Sequence, residues 1–154
     1  MRADLWNFAL STYARPGVEN TCLRLQEQGA DVCLLLCGLW LEQRGVVPTP
    51  VRLQALQAVA VPWQEDVVKP LRTLRTQWRA MARQDVELKG LRERVRALEL
   101  EAEQQLLSRL QAVALAWSQD EANEHAGWLE GLAAKAANLD HDALHQLRVA
   151  VTGA

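Results

Sequence analysis

The residues most able to do chemistry are arginines. Between Val67 and Gln84 stand Lys69, Arg72, Arg75, Arg79 and Arg83, with no acid among them. Arg72, Arg75, Arg79 and Arg83 follow one another at intervals of three, four and four, which is one stripe along a helix. Lys89, Arg92, Arg94 and Arg96 continue the bias, diluted by Asp85, Glu87 and Glu93. The sign then reverses: Glu99, Glu101, Glu103, Asp120, Glu121, Glu124 and Glu130 face Arg109 alone. Guanidinium groups grip phosphate and carboxylate alike. The run therefore reads either as a basic helix paired with an acidic one inside the fold, or as a site for an anion, RNA or acidic protein. A single-strand stacking platform is poorly supported, since Trp78 is the one aromatic among these arginines.

Other chemistry is thinner. The chain has no P-loop, no GxGxxG, no HExxH and no GxSxG elbow, and its only serines are Ser11, Ser108 and Ser118. His141 and His145 have metal-ligand spacing, with Asp142 beside them, but zinc wants three or four ligands. Surface histidines are the expectation, and no metal or other cofactor is implied. Glu121, Glu124 and His125 could do acid–base work in a cleft, but read better as a solvated first helical turn. Cys33 and Cys37, four apart in an apolar run, read as buried, inert thiols.

Helices must position these groups. Asp4 can cap a helix from Leu5 to about Ala14, ended by Pro16-Gly17; Pro16 suits the first position of a second helix that Gly29 stops. Asp31 can cap a third helix whose body, VCLLLCGLWL, is apolar all round and so belongs at the centre of a bundle. GVVPTP, residues 45–50, is a linker, and Thr49-Pro50 reads as cap and first turn of a helix to about Val61. Pro62 is expected to open the next helix. Its Val67, Leu71, Leu74, Trp78 and Met81 form a heptad seam, with a kink or break at Pro70. Asp85 can cap a long helix to about Ser118, with Leu88, Leu91, Val95, Leu98, Ala102, Leu106, Leu110, Val113 and Trp117 on one stripe. The short Gln84-Asp85 junction predicts an antiparallel helical hairpin. Two closing helices, about 120–137 and 140–150, complete an all-α, compact helical bundle.

We read one domain over residues 1–154: an N-terminal three-helix unit over 1–45, the linker at 46–50, and the hairpin with closing helices over 51–154. At 49% hydrophobic and 23% charged residues, a 154-residue chain can fill a core and keep its surface wet. A net charge of −2 argues against a surface given over wholly to nucleic acid or membrane. Three cysteines without a CxxC fit a reduced, cytoplasmic protein. The longest apolar stretch, Val32 to Leu41, is far short of the ~20 residues of a membrane helix, so no membrane association is expected. Six tryptophans against one tyrosine and one phenylalanine make indoles the bulky anchors, each wanting an N–H partner when buried.

The first 41 residues carry a pattern, LWxFA…YxxPGV…CLxLQ…GxDVnLLL…LW. It is met by Leu5, Trp6, Phe8, Ala9, Tyr13, Pro16, Gly17, Val18, Cys22, Leu23, Leu25, Gln26, Gly29, Asp31, Val32, Leu34 to Leu36, Leu39 and Trp40. In this pattern the chain resembles a family of uncharacterised proteobacterial proteins known by a domain of unknown function. Cys33 and Cys37 stand where that family usually has Asn and an aromatic. The resemblance implies a bacterial, cytoplasmic protein with a compact helical core, and brings no activity or cofactor. Its polar positions, Tyr13, Arg15, Gln26 and Asp31, are candidates for a role.

Folding the chain at Gln84-Asp85 sets Lys69 and Arg72 near Glu99 and Glu101, where they can be neutralised. Arg79 and Arg83 fall instead near Lys89, Arg92 and Arg96, where like charges repel by a few tenths of a kcal/mol. Arg79, Arg83, Arg92 and Arg96 are therefore the expected binding surface, and Arg72 a structural residue. A non-enzymatic interaction or adaptor protein with a protein partner ranks first. An anion, nucleotide or RNA binder ranks second, and an enzyme of unknown chemistry third. Homo-oligomerisation through the long hairpin is a further expectation.

Overall fold

The computed structural model describes residues 4–117, 127–133 and 141–152, and the described residues contain helices and no strand. Three short helices come first. Asp4 caps α1 (Leu5–Tyr13) by accepting from the Asn7 N–H at 2.7 Å. The second, α2 (Val18–Glu27), starts later than the sequence suggests: Pro16 lies in the preceding turn, and Gly17, with φ at 81°, is the N-cap. A left-handed residue is needed to swing the chain from α1 into α2, and glycine adopts that conformation without strain. Asp31 caps α3 (Val32–Gln43) through the Leu34 N–H at 3.3 Å.

As its unbroken apolar sequence requires, α3 is the centre of the bundle, with Cys33 to Leu41 all buried. Packed on it are α1, α2, α4 (Pro50–Trp63), the C-terminal half of the long α7 (Val86–Ala114), α8 (Trp128–Ala133) and α9 (His141–Thr152). Gly38 allows α8 to come close: a Cβ there would meet Leu132 Cδ1 at 3.1 Å and Trp128 Cβ at 3.3 Å. Two indoles find the partners that burial demands. Trp128 Nε1 donates to the Val46 carbonyl at 2.7 Å, and Trp63 Nε1 to that of Ala102 at 2.8 Å. Arg148 of α9 ties the closing helices to α3, bonding Glu42 at 2.9 Å and Glu130 at 2.6 Å.

The prolines act differently from the sequence expectation. Pro62 does not open a helix; it lies in the last turn of α4, which runs on through a π-helical turn (Gln64–Val68) into α5 (Lys69–Gln77). Pro70 has no N–H and its ring would strike the carbonyl four residues back. The wider turn just before it accommodates that clash, in place of a break, with the Lys69 N–H reaching the Gln64 carbonyl. A short α6 (Arg79–Ala82) follows, and Asp85 caps α7 through the Leu88 N–H at 3.1 Å.

The expected antiparallel hairpin is present, α5 and α6 packing chiefly on α7. Its long arm ends at Ala114, short of Ser118, so its 29 residues span about 43 Å. The C-terminal half of α7 is core, with Leu106, Leu107, Leu110 and Ala114 buried. The N-terminal half differs from the expected stripe: Leu91 and Leu98 are about half exposed, and the buried side chain there is Glu99. No helix of the described residues is long and apolar enough to cross a membrane.

Candidate functional site

Two polar regions lie along one flank of the hairpin. At its base is a buried cluster built by five elements. Glu99 of α7 is buried and takes Arg75 Nε at 2.5 Å and Arg75 Nη2 at 3.3 Å, both from α5. Arg72 Nε reaches its other oxygen side at 3.2 Å, and Arg72 Nη2 lies 3.7 Å from Glu103. From α2, the Gln26 carboxamide meets the Arg72 guanidinium, and with its oxygen on that side it accepts from Nη1 at 2.6 Å. The Asp31 cap accepts a second bond, from Gln64 Nε2 of the π turn, at 2.9 Å. The widened turn directs Gln64 inward, where it is buried.

Crowding of three carboxyl groups shapes the electrostatics. Burial, then the neighbouring Glu99, pushes the Glu103 carboxyl up to about 7, and Asp31 adds to the rise against the pull of Arg72 and Arg75. Burial likewise raises Asp31 to about 6, although bonds from Leu34, Cys33 and Gln64 and the charge of Arg72 oppose it. Tyr13 is pushed up to about 12 by burial and by Cys22, Glu19 and Glu103. Glu99 keeps Arg75 firmly charged. The cluster's side chains bond one another, and its two arginines are spent on Glu99, so it is an internal clamp between the hairpin and the N-terminal unit.

Towards the tip the same flank changes character. Arg79, Arg83 and Arg96 are exposed and, among the described residues, take part in no ion pair. Arg92 is half-buried, its Nε donating to the Arg75 carbonyl at 2.9 Å, so it is anchored to the hairpin. Lys69 departs from the expected pairing with Glu99 or Glu101. It bonds Glu65, one turn back, at 2.6 Å.

The four polar signature positions separate. Gln26 and Asp31 belong to the clamp. Tyr13 is 37% exposed, and Arg15 donates from Nη1 to the Ala150 carbonyl, which holds α9 to the α1–α2 turn. All three cysteines are buried; burial raises Cys22 to about 12 and Cys33 and Cys37 well above the usual thiol range. His145 is exposed. The side chain of His141, and Glu121, Glu124 and His125, lie outside the described residues. Among the described residues no three His, Cys, Asp or Glu side chains come together as a metal site would need.

Counting back from the turn, sequence reasoning placed Arg72 beside Glu99, as found, but missed Glu103 and Gln64 as members of the clamp. Nothing in the pattern says that Glu99, and not Leu98, faces inward.

No curated protein and no solved structure matches this chain. A family model does match, over residues 4–110, spanning the N-terminal unit, the hairpin and most of α7. The chain belongs to that family, the proteins of unknown function designated DUF2390.

Proposed function

We propose that this chain is a non-enzymatic interaction protein of the bacterial cytoplasm, and that the basic flank of its hairpin tip holds an acidic segment of another protein. The observation that carries the reading is the division of one arginine stripe. Arg72 and Arg75 are consumed by Glu99, whereas Arg79 and Arg83, one and two turns further on, have no acid to meet among the described residues. Exposed like charges on adjacent turns lower stability by a few tenths of a kcal/mol each. Folding does not call for them, and an acidic ligand does. Arg96 on the facing helix widens the target, and Arg79 and Arg83 at a four-residue interval suit successive carboxylates.

The test is capture from bacterial cytosol on the immobilised full chain, with and without RNase, alongside Arg79→Glu/Arg83→Glu. The reading expects protein captured through RNase treatment, released by moderate salt, and lost with the double reversal. Capture that vanishes with RNase would show the ligand to be nucleic acid. Capture that survives the reversal would remove the tip from the account.

A further inference from the structure

The other flank of the hairpin is apolar along α5 and α6 and mixed along α7. On a helical wheel Val67, Leu71, Leu74, Trp78 and Met81 fall to one side of the α5–α6 seam, and Arg72, Arg79 and Arg83 to the other. Leu91 and Leu98 lie on the matching side of α7, 48% and 50% exposed. Between the arms a groove of about 670 Å³ runs past Trp63, Val67, Leu71 and Leu98, with Asp66 and Glu101 among the polar side chains on its wall. A heptad seam open along one side is half of a four-helix bundle.

We propose that this flank pairs with the same flank of a second copy of the chain, antiparallel, about a two-fold axis at Leu98. The charges bordering the flank choose that occupant. Along the outward side of α7 come Glu87, Arg94, Glu101 and Arg109, all exposed, in alternating sign. Turned end for end about Leu98, that row becomes its own complement. Arg94 of each copy lies beside Glu101 of the other, Glu87 beside Arg109, Leu98 on Leu98, and Leu91 on Gln105. Parallel pairing in the same register would set each charge against its like. An isologous two-fold contact of this kind is the commonest route to a closed dimer. From Glu87 to Arg109 is about 33 Å of helix; at a two-helix width of about 20 Å the contact buries roughly 650 Å² per copy, the lower end for a specific interface. The basic flank faces away from the pairing, so the two tips stay free and point in opposite directions.

Analytical ultracentrifugation of the full chain from about 1 to 100 μM tests this. The wild type should sediment as a dimer at the upper concentrations. Arg94→Glu and Glu101→Arg, each reversing two symmetry-related pairs, should weaken dimerisation about tenfold or more, and the two together should restore it. Leu98→Glu should leave a monomer of unchanged helicity. Arg83→Glu, on the opposite flank, should leave the dimer intact whatever becomes of partner capture. A wild type monomeric throughout, or single and double reversals that behave alike, overturns the proposal.

Discussion

Replacing Glu99 by glutamine keeps the shape of the side chain and removes its charge from beneath two guanidinium groups. In the native protein Arg75 approaches one carboxylate oxygen at 2.5 Å, and Arg72 the other at 3.2 Å. Charge-assisted bonds of this kind contribute about 1.5–3 kcal/mol each, and losing one partner of a fully buried pair costs about 3–5 kcal/mol. Here the acid is 8% exposed while the arginines are 24% and 25% exposed, so water recovers part of the loss on their side. Glutamine also retains one acceptor. The net expectation is a loss of about 2 kcal/mol in urea denaturation followed by far-UV circular dichroism, with an unchanged m-value. Arg79→Gln, measured alongside, should stay within about 0.5 kcal/mol of wild type. If Glu99→Gln costs no more than Arg79→Gln, the clamp is a surface contact, and the division of the arginine stripe into bound and free halves fails.

Stability should fall as pH rises from about 5 to about 7.5, because Glu103 and Asp31, with folded values raised to about 7 and about 6, bind protons on folding. Their contribution is complete below the ordinary carboxylate range and lost through those values; it is on the order of 1–2 kcal/mol, and Glu103→Gln should flatten the slope. Gly90 sits within α7 with open space where a Cβ would go. Gly90→Ala should therefore stabilise by about 1 kcal/mol, seen as a melting temperature higher by roughly 2–4 °C; a lower one would mean that α7 is not continuous there. Cys33 and Cys37 should react slowly with a thiol reagent in the native protein and fully on unfolding, since both are buried. Immediate native reaction would contradict the central placement of α3.

Much of the architecture was legible because punctuation is local. Asp4, Asp31, Thr49 and Asp85 cap four helices, each with a side-chain oxygen on the N–H three residues on. The apolar run of α3 gave its central place directly. Pro62 and Pro70 misled because propensity rules treat a proline as a boundary, whereas Pro62 lies within the last turn of α4 and Pro70 follows a π turn that no local pattern announces. The inward face of α7 misled for another reason. Near its N-terminal half, hydrophobicity favours Leu91 and Leu98, but the tertiary clamp rotates Glu99 inward to meet Arg72 and Arg75. An ion pair between residues far apart in sequence leaves no periodic signature. The tip arginines were readable as a charge run; that Arg79 and Arg83 make no ion pair among the described residues was not.

The most direct measurement compares two charge reversals by denaturation in one low-salt buffer. Arg79→Glu/Arg83→Glu relieves repulsion at the tip, so its stability should equal or exceed that of the wild type. Arg72→Glu places a third carboxylate beside Glu99 and Glu103, so it should lose several kcal/mol or fail to fold. The opposite order, a collapsed tip variant beside a tolerated Arg72→Glu, would show the tip arginines to be paired within the fold and leave no binding surface to explain.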